Sequence, residues 1–352
     1  MATHANTPRA LLGRLLGTQQ AGLVLVILAL ATVLALSAGS HVDPRTGAVV
    51  NNFYNLNTLF QIATDTSFFA IMAAGATVVI ISGGIDLSVG SIYALAGVAT
   101  AMALRALAPD SPVEIVLLAA TVSLGVGLVC GLVNGVMVVG LGVHPFIITL
   151  GTMWIVRGIA FVVSHAESIL VPNALTGVAK ATLGFSGSVY PVPLLVMLAV
   201  TAVVGIYLTR TVMGRHVFAI GGNPEASRFS GLNLGRIKIG VFVISGVTAG
   251  LAALVGASFY GSASCADATG YELYVVASAV VGGASLSGGK GSAASAMLGA
   301  LLIVLIRQSI RTMRFDQNYE WIIIGSATIL AVVLDQASAR ATQRRLAAAA
   351  HR

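Results

Sequence analysis

The stretch Ile81-Ser82-Gly83-Gly84-Ile85-Asp86-Leu87-Ser88-Val89-Gly90-Ser91 lies between two long apolar runs of the chain. It combines three glycines with serines and a single aspartate. Glycine disfavours a helix interior by about 1 kcal/mol relative to alanine, and a carboxylate at bilayer depth is costlier still. The stretch therefore predicts either a turn at the membrane surface or a broken helix buried against protein, where irregular backbone is tolerated.

The composition of the 352-residue chain predicts an integral membrane protein, because 57% of its residues are hydrophobic and only 9% are charged. A soluble domain carries about 25% charged residues. The net charge of +7 is concentrated in tails and loops, where it suits anionic lipid headgroups on the cytoplasmic side. The basic residues do not alternate with aromatic residues, so we expect no nucleic-acid partner.

Apolar runs of about 20 residues, long enough to cross the hydrocarbon core, predict an all-α polytopic protein with one transmembrane domain over residues 1–352. We expect about ten spans, at about 21–38, 58–81, 90–107, 114–139, 146–163, 191–208, 239–260, 273–281, 292–305 and 319–334. Eight spans are the alternative, if the segments near Leu273 or Phe146 are re-entrant. The first run resembles a signal peptide, but its spanning length favours a retained span.

Lysine and arginine favour the cytoplasmic side of a membrane and so predict the topology. The basic segments are the N-terminal tail 1–20, the loop 210–238 and the C-terminal tail 337–352, and ten spans place all three on one side. The outer segments are then poor in lysine and arginine, except that Arg307, Arg311 and Arg314 fall outside. For Arg311 and Arg314 we expect acidic residues on a partner protein as contacts.

An internal repeat predicts where a transport pathway lies. Residues 83–88, Gly-Gly-Ile-Asp-Leu-Ser, are similar to residues 282–287, Gly-Gly-Ala-Ser-Leu-Ser, and each set precedes a helix rich in glycine and alanine. Glycine-interrupted segments at corresponding positions of two halves indicate a transport pathway. The candidate pathway or gate residues are Gly83, Gly84, Asp86, Ser88, Gly90, Arg157, Gly282 and Gly283. For Asp86, capping of the third span and a place at a gate both remain open.

Two further patterns predict contacts between spans. Gly127, Gly131 and Gly135 recur at every fourth position, which places them on one helix face and lets a neighbouring helix approach closely. Arg157 lies within the fifth span and needs a carboxylate or carbonyl partner inside the bundle. Asp65 is one candidate for that partner.

The sequence predicts neither an enzyme nor a metal site. Residues 288–291, Gly-Gly-Lys-Gly, lack two elements of a phosphate-binding loop, since Ala284 replaces its first glycine and Gly291 its hydroxyl residue. The two cysteines and six histidines show no metal-ligand spacing. We therefore expect no cofactor on this chain, and ATP, if it drives the protein, to bind a separate subunit.

Residues 213–231, Met-Gly-Arg-His-Val-Phe-Ala-Ile-Gly-Gly-Asn-Pro-Glu-Ala-Ser-Arg-Phe-Ser-Gly, predict a short helix on the cytoplasmic surface. Asn223 is a good N-cap and Pro224 suits the first turn. Glu225 lies near the positive helix end, and Gly231 ends the helix. Such a helix is either a docking device or a solvated connector.

The stretch 83–91 resembles the signature of permease subunits of bacterial ABC sugar importers, the relatives of the ribose, xylose, arabinose and galactofuranose permeases. Residues 149–152 with Arg157-Gly158, residues 281–283 with 287–289, and residues 222–226 with Arg228 and Gly231 also match, so the resemblance runs from about 57 to 334. Ser227 and Phe229 stand where that family more often has alanine and leucine.

The resemblance implies a multi-pass permease of the bacterial inner membrane that translocates a monosaccharide or related polyol by alternating access. It implies a second permease subunit, a cytoplasmic ABC ATPase and a periplasmic or lipid-tethered sugar-binding protein. It assigns ATPase coupling to Gly222, Asn223, Pro224, Glu225, Ala226, Arg228 and Gly231. A permease for branched-chain amino acids and a secondary carrier are the alternatives, although a carrier needs its own ion site and intramembrane acids are few.

Overall fold

A computed structural model describes residues 19–42, 47–185 and 189–313, together with individual residues between 315 and 333. The helices are α1 Gln19–Ser37, α2 Leu56–Ile81, α3 Val89–Leu107, α4 Pro112–Leu141, α5 Pro145–Ser164, α6 Asn173–Ala179, α7 Val192–Arg210, α8 Val212–Gly222, α9 Pro224–Phe229, α10 Leu234–Tyr260, α11 Tyr271–Val281 and α12 Ala293–Thr312. The strands are β1 Ser40–Val42, β2 Val49–Asn51, β3 Ile169–Leu170 and β4 Ser262–Ala263.

The described part of the chain is a helical membrane protein with little sheet. Eight helices are long and apolar enough to cross a membrane, namely α1, α2, α3, α4, α5, α7, α10 and α12, and α11 is a shorter apolar helix. These nine helices match the first nine expected spans, and half of the tenth, 319–334, lies outside the described residues. Antiparallel pairs join β1 to β2, with Ser40 opposite Asn51, and β3 to β4, with Ile169 opposite Ala263.

Helix α2 is the centre of the fold. Every residue from 66 to 82 is buried, as expected for a helix that is apolar on all sides. It packs against α10, α12, α7 and α11. Gly75 allows the closest of these approaches, because a Cβ at this position would lie 3.1 Å from the Ser245 Cα of α10. The segment that follows α2 is therefore fixed by the core of the protein.

The glycine face of α4 packs directly against α10, which confirms the predicted close helix approach. A Cβ on Gly131 would lie 2.9 Å from the Val243 Cα, and one on Gly135 would lie 2.8 Å from the Ile239 Cα. A Cβ on Gly127 would overlap the Gly246 carbonyl. Without side chains on this face, the two backbones touch along three turns.

The stretch after α2 is a broken helix buried against protein, the second of the two expected arrangements. Gly83 adopts φ +83°, and its N–H donates to the Ile80 carbonyl over 2.9 Å. The Gly84 N–H donates to the Val79 carbonyl over 3.0 Å. This pair of bonds is a Schellman motif, which favours glycine at the left-handed position.

The end of α11 repeats this geometry. Gly283 adopts φ +99° and its N–H donates to the Val280 carbonyl over 2.8 Å, while the Ala284 N–H donates to the Ala279 carbonyl over 2.9 Å. The same helix-ending motif therefore occurs twice, but one residue out of register with the sequence comparison, because Gly83 corresponds to Gly283, and Gly282 corresponds to Ser82. The two connections differ in length, since α3 begins at Val89 and α12 begins at Ala293.

Two boundaries differ from the sequence expectation. The segment 210–238 is mostly helical, because the Thr211 hydroxyl caps α8 and the Asn233 side chain caps α10, which begins five residues before the expected 239. Helix α12 continues to Thr312, seven residues beyond the expected 305. Arg307 and Arg311 therefore lie on a helix, whereas we expected a loop.

Candidate functional site

Helix α9 begins and ends at the residues that the sequence predicts. The Asn223 Oδ1 accepts a hydrogen bond of 2.9 Å from the Ala226 N–H, and Pro224 is the first helical residue. Gly231 adopts φ +82°, and its N–H donates to the Arg228 carbonyl over 3.0 Å. The cap and the terminating glycine define a helix of six residues.

The surface of α9 is open to a partner. From 222 to 231 every residue except Ser227 is exposed, and Phe229 is 91% exposed. An aromatic ring in this position, flanked by the charges of Glu225 and Arg228, is typical of an anchor residue at a protein interface. From the sequence, Phe229 is noted only as a departure from a family pattern, and its exposure, which makes it a candidate contact residue, is missed.

Asp86 lies at the centre of the broken helix and is 1% exposed. Its Oδ1 accepts hydrogen bonds from the Ser88 N–H over 2.9 Å and from the Ser88 hydroxyl over 2.6 Å. Its Oδ2 accepts from the Ser245 hydroxyl over 2.8 Å. A buried carboxylate needs such donors. Here the bond from Ser245 fixes the segment that precedes α3 to the middle of α10.

The same network reaches two more helices. The Asn134 Nδ2 of α4 donates to the Ser88 Oγ over 2.8 Å, and the Thr149 hydroxyl of α5 donates to the Ile85 carbonyl over 3.2 Å. Asn134 is 1% exposed and Ser245 is fully buried. Sequence reasoning missed both residues, although a lone asparagine inside an apolar run is a signal that could have found the first.

Arg157 binds backbone carbonyls. Its Nη1 donates to the carbonyls of Cys265 and Asp267 over 2.8 and 2.6 Å, and its Nη2 donates to the carbonyl of Ala268 over 3.3 Å. The guanidinium therefore holds the loop that precedes α11. The expectation of a carbonyl partner is confirmed, but the candidate pairing of Arg157 with Asp65 is wrong.

Gly90 allows this loop to reach the start of α3. A Cβ on Gly90 would lie 2.6 Å from the Ala268 carbonyl oxygen and 2.5 Å from the Glu272 Oε2. In the same loop, burial raises the pKa of the Asp267 carboxyl, while the Ser264 N–H and the Arg157 charge act in the opposite direction. The start of α3 thus contacts both the Asp86 network and the Arg157 loop.

Asp65 belongs to a separate cluster in which α12 supplies the cations. The Asp65 Oδ2 lies 3.8 Å from the Arg311 Nη1. Arg307 pairs with Glu320 over 2.7 Å and lies 5.4 Å from the Phe69 ring centroid. Helix α12 thus carries two cations, one paired with Asp65 and the other with Glu320. Arg314 lies outside the described residues.

The structure therefore brings Asp86, Ser88, Gly90 and Arg157 together around the start of α3, while the α9 residues lie at the surface. Gly283 lies in the second helix-ending motif, and Gly282 packs against the Ser295 carbonyl of α12. Gly83 and Gly84 are turn residues. A role of any of these residues in lining a pathway stays a prediction.

Comparison with known proteins gives the family. The sequence model of the family described as the permease component of a branched-chain amino acid transport system matches residues 58–332. The chain belongs to this permease family. The D-allose transport system permease protein of Escherichia coli K12 is 36% identical over 286 residues, which cover 81% of this chain and 85% of the relative.

Two further relatives in this family show similar identity. The ribose import permease protein of Escherichia coli K12 is 35% identical over 286 residues, or 81% of this chain and 87% of the relative. The fructose import permease protein of Rhizobium meliloti is 32% identical over 294 residues, or 81% and 79% of the two chains. The protein is thus a multi-pass membrane protein and a transport permease subunit, which is not a catalytic enzyme.

Proposed function

We propose that this chain is the membrane-spanning subunit of an ATP-driven importer and translocates a monosaccharide or related polyol by alternating access. The observation that carries the proposal is the agreement of the relatives, which are named for D-allose, ribose and fructose. The matched region includes both broken-helix segments and α9. Substrate specificity then rests largely on a separate binding protein, and this chain contacts the sugar weakly enough to release it.

A cytoplasmic ABC ATPase is the proposed partner at α9. The support is physical: α9 is short, capped at both ends and exposed, and it presents Phe229 beside two charged residues. ATP binds that partner in this proposal, and the chain itself hydrolyses none. Of the coupling residues that the resemblance implies, Gly222 ends α8, Asn223 caps α9 and Gly231 follows its C-cap, while Pro224, Glu225, Ala226 and Arg228 lie on α9.

The remaining partners follow from the proposed topology in the bacterial inner membrane. Both termini and α9 face the cytoplasm, which agrees with the basic residues of 1–20, 210–238 and 337–352. A periplasmic or lipid-tethered binding protein docks on the opposite side. A second permease subunit, identical or homologous, completes the path across the membrane.

The test is uptake into proteoliposomes that contain the permease with its ATPase, with ATP inside and the binding protein outside. D-allose, ribose, fructose and arabinose are the sugar probes. Leucine is the probe for the second candidate function, branched-chain amino acid transport, which the family description names. ATP-dependent uptake of at least one sugar is expected. Leucine uptake without sugar uptake would overturn the proposal.

A further inference from the structure

The end of α8 lies in contact with the end of α2 and with the loop that connects α11 to α12. Gly221 is buried one residue before the end of α8. A Cβ on Gly221 would overlap the carbonyl oxygen of Ile81, the last residue of α2, and would lie 2.7 Å from the Gly289 nitrogen. Alanine cannot occupy this position unless one of the three backbone segments moves.

The end of α2 and the α11–α12 loop also bind one another at this point. The Gly289 N–H donates to the Ile81 carbonyl over 2.8 Å. A Cβ on Gly288 would lie 2.6 Å from the Gly221 carbonyl oxygen, and one on Gly289 would lie 2.9 Å from the Gly222 Cα. We call this contact of Ile81, Gly221, Gly222, Gly288 and Gly289 the glycine junction.

The glycine junction lies between the surface helix α9 and the membrane-spanning helices. It lies directly before Asn223, the cap of α9. It includes the end of the buried central helix α2 and the loop that connects α11 to α12. Because backbone atoms contact backbone atoms here, no flexible side chain separates the segment before α9 from α2 or from the α11–α12 loop. Closely packed contacts of this kind transmit displacement.

We propose that the glycine junction carries the movement of α9 both to the end of α2 and to the α11–α12 loop, with Gly221 as the positioning residue. This inference rests on the proposed function, because it presumes that an ATPase moves α9. A displacement of α9 then shifts the end of α2 and the α11–α12 loop together. A single movement of α9 thus displaces both the end of α2 and the α11–α12 loop.

Gly221→Ala tests the proposal in the complex with the ATPase. The measurement is uptake of whichever of the four sugar probes the unmodified complex transports. We expect the variant complex to assemble and to hydrolyse ATP within about twofold of the unmodified complex. Sugar transported per ATP hydrolysed is expected to fall by about tenfold or more, since a displacement of about 1 Å is enough for such losses. A merely structural role would lower assembly and both rates together.

Gly240→Ala is the matched control. Gly240 lies within α10, and a Cβ there has open space. Its sugar-to-ATP ratio is expected to equal that of the unmodified complex. If Gly221→Ala also keeps the ratio, the inference is overturned while the proposed function stands. If the unmodified complex shows no ATP-driven sugar uptake, the proposed function itself fails.

A second measurement does not depend on the folding of Gly221→Ala. Spin labels at the exposed positions Ser230 and Lys290 report the distance across the junction, and labels at Ser230 and Leu107 report movement relative to the end of α3. Cys130 and Cys265 are replaced by serine. Between nucleotide-free and ATP-bound complexes, the first distance is expected to stay within about 1 Å while the second changes by several times that amount. A larger change in the first distance overturns the inference.

Discussion

Replacement of Asp86 by alanine tests whether the carboxylate holds the broken helix. The side chain is 1% exposed and accepts three hydrogen bonds, two from Ser88 and one from Ser245. Each bond to a charged group contributes about 1.5–3 kcal/mol, and donors left unpaired in a buried site add to the loss. We therefore expect Asp86→Ala to lower the free energy of unfolding by about 4.5–9 kcal/mol, summed over the three bonds.

Asp86→Asn is the conservative comparison. Its amide oxygen still accepts from Ser88, and its NH₂ group can donate to the Ser245 oxygen, so the loss is expected to be about 1–3 kcal/mol. Ser245→Ala removes one of the three bonds and is expected to cost about 1–3 kcal/mol as well. The assay is thermal unfolding of the purified detergent-solubilised protein, together with the amount of protein in the membrane.

The same variants separate support from gating. If Asp86→Ala unfolds at the temperature of the unmodified protein, the hydrogen-bond network does not stabilise the fold and the reasoning is refuted. If Asp86→Asn reaches normal membrane levels but transports nothing, the carboxylate acts at a gate in addition to its bonds to Ser88 and Ser245.

Three further predictions concern other contacts. Gly131→Leu forces α4 away from α10 and is expected to destabilise the protein by more than about 3 kcal/mol. Gly125→Leu is the control, because a side chain at Gly125 has open space. Equal unfolding temperatures for the two variants would refute the backbone contact. Phe229→Ala is expected to leave the unfolding temperature unchanged and to weaken ATPase binding by about tenfold or more, as measured by titration in detergent; unaltered affinity would exclude the ring as an anchor. Arg157→Met removes three hydrogen bonds to loop carbonyls and is expected to cost about 3 kcal/mol or more; protease cleavage of the loop at the rate of the unmodified protein would contradict this role.

Local chemistry explains why the sequence predicts the helix ends. The cap of α9 by Asn223, its first residue Pro224 and its end at Gly231 depend on residues within ten positions of one another. The same holds for Gly83, where a left-handed residue ends α2. The glycine spacing of α4 predicts a close neighbour, but does not say that the neighbour is α10.

Contacts between distant positions could not be predicted in this way. Asp65 and Arg311 are far apart in the chain, and no periodicity links them. The sequence therefore gives no reason to prefer Arg311 over Arg157 as the partner of Asp65. Ser245 was hidden among the small residues of an apolar helix, where a serine usually bonds its own helix backbone. Gly221 is one of 40 glycines, and its importance comes from the carbonyl of Ile81, which the sequence does not place nearby.

The central claim is that this chain conducts sugar only when a separate ATPase moves it. The most direct measurement compares proteoliposomes of the purified chain alone with those of the complete complex, under ATP and under imposed proton and sodium gradients. We predict ATP hydrolysis and sugar accumulation in the complex and neither in the isolated chain under any of these conditions. ATP hydrolysis or gradient-driven accumulation by the isolated chain would contradict the account.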